Sequence, residues 1–179
     1  MIWLMIFINL ILFTIIIILG AHFFNIIFRG FAPYISTKPR VIKKILKEIN
    51  FNINKRKVYE LGCGKAGFLR ALEDRKKEWQ YIGVEYSWWA WLVTKIQTSF
   101  SKSKIKLLRK NIFKVNLKDA DLIYCYLNPQ MMKKLEIKFK EECKQGTRII
   151  SYAFAMHNLQ SEKVVEVKNR ENIYFYRIS

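Results

Sequence analysis

Hydrophobic and polar positions along the chain fall into two regimes. From Ile2 to Leu19 nearly every residue is Ile, Leu, Phe, Met or Trp, broken only by Asn9 and Thr14, and Met1–Phe28 holds no Asp, Glu, Lys or Arg. As a helix, such a run reaches across a hydrocarbon core of roughly 30 Å, and lipid leaves the backbone no other regular structure. A cleaved signal peptide needs a basic start, a shorter apolar run and a small-residue cleavage site. The run lacks all three, so the pattern predicts a retained transmembrane anchor over residues 1–28. A connector follows over residues 29–38. Apolar positions then recur at helical spacing in Val41, Ile42, Ile45, Leu46 and Ile49. They predict a helix over Pro39–Asn50 with Ser36 or Thr37 as its cap.

Beyond this point short β-rich runs alternate with helical ones. The predicted strands are Lys57–Leu61, Tyr81–Tyr86, Ile105–Leu108, Leu122–Leu127 and Arg148–Ala153, followed by an antiparallel hairpin of Val164–Val167 and Ile173–Ile178. Between them lie helices over Phe68–Lys77, Trp88–Phe100 and Met131–Cys143. Alternation of this kind predicts an α/β, Rossmann-like sheet, mostly parallel and covered on both faces, within a domain of residues 39–179. In the helix Met131–Cys143, Lys133, Lys134, Lys138 and Lys140 read as the solvated side. Met132, Leu135, Phe139 and Cys143 read as the core side.

Composition narrows the reading. The 179 residues carry 32 basic and 14 acidic side chains, a net charge of +18, all of it beyond Phe28. Aromatic and branched residues recurring up to Ile173–Tyr176 exclude disorder for this body. Three cysteines, Cys63, Cys125 and Cys143, with no CxxC pair exclude a disulfide scaffold and suit a reducing compartment. The two histidines, His22 and His157, have no cysteine at zinc-ligand spacing, so no metal is expected. His22 reads as interfacial and His157 as a solvated loop residue. Basic residues from Arg29 to Lys47 flank the anchor, which places the N-terminus outside and the body on the cytoplasmic face. Phe23, Phe24, Phe28, Phe31 and Tyr34 suit the headgroup level. The charge could attract nucleic acid, but beside an anchor the bilayer is the simpler partner. Trp88, Trp89 and Trp91 read as core packing or membrane contact. The oligomeric state is not encoded in any of these features.

Candidate chemistry concentrates in Glu60-Leu61-Gly62-Cys63-Gly64-Lys65-Ala66-Gly67, which follows a strand and opens a helix. Glycines there permit a tight turn and bring a ligand close to backbone N–H groups. Glu85, at the end of the next strand, is placed to accept both ribose hydroxyls of an adenosine. A nicotinamide dinucleotide and S-adenosylmethionine both fit. Glu60 favours the second, because its carboxylate would repel a pyrophosphate and attract an ammonium and a sulfonium; alternatively it pairs with a basic neighbour. Asn111 is a candidate for the adenine edge, with Ile112 against the ring, or else a turn residue. In a doubly wound sheet the first and fourth strands are neighbours, so the Gly loop should face Tyr124, Tyr126, Leu127, Asn128 and Pro129. Asn128-Pro129 partly matches the Asn-Pro-Pro-aromatic motif of amino-group methyltransferases, with Gln130 and Met131 in place of the last two residues. It also reads as an ordinary helix start. Tyr124 and Tyr126 either line a channel or pack.

Several blocks together resemble a known family: Ala32–Thr37, Tyr59–Gly64, Gly83–Ser87, Asp121–Met132, Ile150–Phe154 and Tyr174–Arg177. They are similar to the small membrane-anchored class I methyltransferases. That family includes the mitochondrial lysine methyltransferases of the ATP synthase c subunit and of the adenine nucleotide translocase, with bacterial relatives. The resemblance implies a class I methyltransferase sheet, S-adenosylmethionine as donor and lysine of a membrane protein as acceptor. By the same token Glu60, Gly62 and Gly64 would hold the methionine end of the donor, Glu85 its ribose, and Tyr126, Asn128 and Pro129 would be the catalytic residues bordering the acceptor. The residues themselves add Cys63, Gly67, Tyr86, Asn111 and Ile112 as donor-site candidates. Two departures stand out: Lys65 occupies a position where the family is usually non-basic, and the third glycine is displaced to Gly67. The alternatives are a nucleic-acid methyltransferase and a non-catalytic binding module with a degenerate cofactor loop.

Overall fold

The structure is a computed structural model that describes residues 1–29, 35–167 and 171–179, with the backbone alone for 22–29. The chain divides into two units, residues 1–33 and 34–179. The first is the helix α1 (Ile2–Arg29). Its stretch Ile2–Ala21 has a mean hydropathy of 3.0, buries nothing, and is long and apolar enough to cross a membrane. The two polar interruptions turn back on the helix, Asn9 donating to the Met5 carbonyl and Thr14 to that of Leu10, both at 2.8 Å. Each thereby spends a donor within the helix. Phe31 and Tyr34, expected at the headgroup level, lie outside the described residues, as do the side chains of His22, Phe23, Phe24 and Phe28.

The second unit opens with α2 (Pro39–Glu48), whose Val41, Ile42, Ile45 and Leu46 are all buried, as the spacing requires. Pro39 sits at its start, but the cap differs from expectation. Lys38 is the N-cap and makes no side-chain cap bond, since its ammonium has no acceptor to offer, and the Thr37 hydroxyl is engaged 2.7 Å from the Tyr124 hydroxyl instead. Then follow β1 (Lys57–Leu61), α3 (Gly67–Glu73), β2 (Gln80–Glu85), α4 (Trp88–Phe100), β3 (Lys106–Arg109), a 3₁₀ turn at Ile112–Lys114, β4 (Leu122–Cys125), α5 (Pro129–Glu142), β5 (Arg148–Tyr152), β6 (Lys163–Glu166) and β7 (Asn172–Arg177).

The sheet runs β3-β2-β1-β4-β5-β7-β6. The first five strands pair in parallel, and β7 pairs antiparallel with both β5 and β6. Glu60 stands opposite Tyr124, and Tyr124 opposite Ile150. β3 and β6 form the two outer edges, and at β6 the Lys44 ammonium donates to the Glu166 carbonyl at 2.7 Å. Phe68, Leu69 and Leu72 from α3 and the apolar face of α2 cover Val58, Leu122, Tyr124, Ile150 and Tyr152 in one core. Burying each large apolar side chain contributes about 1.5–3 kcal/mol.

Several element ends shift by a residue or two from the sequence expectation, and three departures have a visible cause or consequence. α3 stops at Glu73 rather than Lys77, because the amides of Arg75 and Lys76 both turn back to the Leu72 carbonyl. β4 ends at Cys125, two residues early, and α5 starts two residues early at Pro129, so Tyr126, Leu127 and Asn128 form the crossing between them. On α5, Lys138 is buried rather than solvated, its ammonium paired with Glu142 one turn on. Free Cys63, Cys125 and Cys143 are all buried. Burial pushes the Cys143 thiol up to about 11 and the other two further, so they are packing residues with little thiolate character.

Candidate active site

The turn after β1 is built by backbone bonds to β2. The amides of Gly62 and Cys63 both donate to the Val84 carbonyl, at 2.8 and 3.0 Å, and the Ala66 amide closes on the Cys63 carbonyl at 2.6 Å. Three residues are left-handed: Gly62 (φ 73°), Gly64 (φ 48°) and Ala66 (φ 51°). At Gly62 a Cβ would also come within 2.8 Å of the Leu127 side chain, so glycine there serves both the turn and the close approach of the β4–α5 crossing. Gly67 has no such demand; it begins α3, and a Cβ would touch Ile42 at an ordinary 3.6 Å. The displaced third glycine is therefore not what shapes the loop. Ala66 takes the left-handed position in its place. Cys63 directs its sulfur inward against Gly83, where a Cβ would lie 2.9 Å from it. Any contact it makes with a donor is through its backbone.

Two carboxylates frame this turn. Glu60 is 5 % exposed and accepts from the Leu69 amide at 3.3 Å, in the first turn of α3. Its partner is thus a backbone donor; Arg70 acts on it through its field. Burial outweighs both and raises the Glu60 carboxyl to about 8, with Glu85 adding to the rise. An unliganded Glu60 is then largely protonated at neutral pH. A cationic ligand beside it would favour ionisation. Glu85 accepts from the Gly64 amide at 3.0 Å with one oxygen and from the Ser87 amide at 2.8 Å with the other. It ties the loop to the start of α4 while keeping acceptor capacity for a ligand. Tyr86 beside it is exposed.

Thr94, fully buried on α4, donates its hydroxyl to the Gly64 carbonyl and shares it with the Ala90 carbonyl. Sequence reading missed this residue. An isolated threonine inside a helix, 30 residues from the glycine it contacts, carries no signal of its own. Lys65 points into solvent, and the turn around it is intact.

Asn111 caps the 3₁₀ turn, its side-chain oxygen accepting from the Phe113 amide at 3.0 Å, and Ile112 behind it is buried. Asn111 is therefore a turn residue at the carboxyl end of β3, on the same sheet edge as Glu85. Asn128 likewise caps α5, accepting from the Met131 amide at 2.9 Å, with Pro129 next to it. Tyr124 is core: 1 % exposed, ring against Phe68 at 4.4 Å, hydroxyl on Thr37. Tyr126 lies half-buried with its ring tilted against Tyr152 at 4.5 Å. Burial and then the charge of Glu171 push its phenol up.

Tyr152 and Glu171 were not singled out by sequence. The Tyr152 hydroxyl donates to the Glu171 carboxylate, and the Lys38 ammonium lies 3.8 Å from the same group. Glu171 immediately precedes β7, and Tyr152 pairs with Ile173; hence this cluster stands at the carboxyl ends of β4 and β5. His157 is exposed, and its amide, with that of Asn158, is held by buried Glu136 at 3.1 and 2.5 Å.

The left-handed turn with no Cβ at two positions and two acids facing it fits S-adenosylmethionine. Glu60 would meet the methionine end, the amides around Gly62 and Gly64 its polar groups, and Glu85 the ribose. That group supplies an electrophilic methyl on a sulfonium. The protein's part is to align, to exclude water and to balance charge.

Comparisons with known proteins agree. A family model, the ANTKMT methyltransferase domain, matches residues 60–163. A protein-lysine N-methyltransferase of Saccharolobus islandicus (strain REY15A) is 24 % identical over 151 residues, covering 82 % of this chain and 93 % of the relative. Among solved structures, an RNA methyltransferase from Salinibacter ruber in complex with S-adenosyl-L-homocysteine has a TM-score of 0.73 at 17 % identity, covering 80 % of this chain and 94 % of that one. A ribosomal protein L11 methylase from Lactobacillus delbrueckii subsp. bulgaricus has a TM-score of 0.64 at 10 % identity, covering 78 % of each. At such identities the two structures establish the fold. The match over more than half of the sequence establishes more: the chain belongs to the ANTKMT methyltransferase domain family and is an S-adenosylmethionine-dependent methyltransferase.

Proposed function

We propose that the protein is a membrane-anchored protein-lysine N-methyltransferase acting on a membrane protein, with its N-terminus outside and its catalytic unit on the cytoplasmic face. The observation that carries the acceptor class is Glu171. In a body dominated by basic residues, it places a carboxylate at the acceptor end of the sheet, held by Tyr152 beside the ring of Tyr126. A lysine ammonium, that of Lys38, already stands 3.8 Å away. A substrate lysine would take that place, attracted by Glu171 and guided along the Tyr126 ring. Its nitrogen must lose a proton before attack, and desolvation beside a cationic donor lowers its pKa. Tyr126, Asn128 and Pro129 border the path, while Asn128 also fixes α5. The lysine methylation named for the Saccharolobus islandicus relative supports the same acceptor class, and the apolar stretch Ile2–Ala21 supports the anchor.

The test uses the full chain in native membranes with an isotopically labelled methyl donor, followed by digestion and mass spectrometry. Label on lysine of a membrane polypeptide is the expected result. Label recovered only in RNA would overturn the acceptor class. Label on lysine of soluble proteins alone would overturn the membrane-protein substrate.

A further inference from the structure

α4 packs inside out. Its buried positions are Ala90, Thr94 and Thr98, small or hydroxylated and four residues apart. Its large apolar residues face outward: Trp89 is 67 % exposed, Val93 39 %, Ile96 48 % and Phe100 85 %. Positions 89, 93, 96 and 100 follow the i, i+4, i+7, i+11 rhythm of a single helical stripe. Trp88 extends it at the start of the helix, 47 % exposed and edge-on to Trp89 at 4.6 Å. Water would select the opposite arrangement, and an apolar stripe of this extent marks a contact surface. The charge around it identifies the partner. From Tyr86 to Lys118 the chain contains no Asp or Glu, while Lys95, Lys102, Lys104, Lys106, Arg109 and Lys110 are all exposed. Tryptophan and phenylalanine on one face with lysines around it suit a bilayer headgroup region rich in anionic lipid.

We infer that the outer face of α4 is a second membrane-contact surface, laying the catalytic unit on an anionic lipid surface through Trp89, Val93, Ile96 and Phe100. The inference deepens the membrane reading above and depends on it only for the presence of a bilayer. The same helix holds the donor loop through Thr94 and begins beside Glu85. Seated on lipid, it would keep the donor side of the site within one helix diameter of the headgroups, which suits acceptor lysines that border a membrane.

The test uses the full chain in nanodiscs of phosphatidylcholine, with and without phosphatidylglycerol, carrying a nitroxide at Phe100→Cys. Ile137→Cys is the control, an apolar residue exposed on α5, and Thr14→Cys reports on α1. The expected result is that the Phe100 label loses access to a polar nickel chelate and gains access to oxygen, more so with phosphatidylglycerol, while the Ile137 label stays accessible to the chelate. A Phe100 label open to the chelate in both discs, with the Thr14 label embedded, overturns the α4 surface and leaves the anchor standing. A Thr14 label in water with the Phe100 label in lipid supports the surface and overturns the anchor. Protection of Phe100 that follows protein concentration and ignores lipid overturns it in favour of a second copy of the chain.

Discussion

Glu60 and Glu171 are carboxylates on the same edge of the same sheet, yet they belong to regions built by different means. The donor region around Glu60 is made of backbone geometry over a short stretch of chain. Gly62, Cys63 and Gly64 bond to Val84 and Glu85, and Thr94 reaches back to Gly64. The proposed acceptor region around Glu171 is made of side chains gathered from distant segments: Thr37 on Tyr124, Lys38 beside Glu171, Tyr126 against Tyr152. Glu60 is sealed in, whereas the Glu171 side chain is 29 % exposed. On the proposed assignment the first region reads a fixed ligand and the second meets a variable one, and the difference in burial fits it.

The contrast is broken most directly at Glu85. Glu85→Ala removes two charge-assisted bonds to loop amides and the ribose acceptor, each worth about 1.5–3 kcal/mol. Donor binding by calorimetry should weaken by roughly 100-fold or more. A donor affinity close to wild type would mean that the loop holds itself.

Glu60 gives the next largest effect, through pH. Its folded pKa of about 8 lies above the ordinary 4.5. The neutral form therefore stabilises the unliganded fold fully below pH 4.5, and this contribution is lost as pH rises through 8. A cationic donor needs the ionised form, so its affinity should climb between pH 6 and 8, by up to about tenfold per unit, with release of a proton on binding. Glu60→Gln should flatten both trends. A wild-type affinity that is level across this range would contradict the assignment.

At the acceptor end the expected effect is smaller, because Glu171 is partly solvated and its attraction is screened. With a lysine peptide as acceptor, Glu171→Gln should raise KM by about three- to tenfold while kcat changes less, and added salt should blunt the wild-type advantage. A fall in kcat with KM unchanged would instead make Glu171 part of the chemical step. Smallest of all, Asn128→Ala removes a cap worth about 1 kcal/mol and should lower Tm by about 2–4 °C. Donor affinity should be untouched. A loss of donor affinity would join the two regions that the structure keeps separate.

The same division explains what could be read from sequence. β1 and α4 were found to the residue, and the seven strands in their order, because period-two and helical patterns are local. The donor loop was legible for the same reason: Gly62, Gly64, Glu60 and Glu85 signal through spacing alone. Ala66 in a left-handed turn was not, since alanine carries no mark of that conformation. Nor was the cap of α2, where Thr37 had two possible partners and the more distant one, Tyr124, took it. Tyr152 and Glu171 were missed because β7 inserts between β5 and β6, bringing Glu171 beside Tyr152 by a pairing that periodicity does not encode. Lys138 reads as solvated on any helical wheel. Its i,i+4 partner Glu142 stands in the sequence, and what only the fold shows is that Lys138 is buried beside it.

The open edges of the sheet carry a consequence for the protein's behaviour when crowded. Among the described residues β3 and β6 each leave one row of backbone groups without a neighbouring strand, a template on which another chain could polymerise. β3 offers Lys106 and Arg109 along its exposed rim. β6 offers Lys163 and Glu166, and the Lys44 ammonium occupies the Glu166 carbonyl that an incoming strand would need. The like-charged rim of β3 repels its own copies and the occupied Glu166 carbonyl blunts β6, so the fold discourages strand-to-strand aggregation where many molecules share one surface.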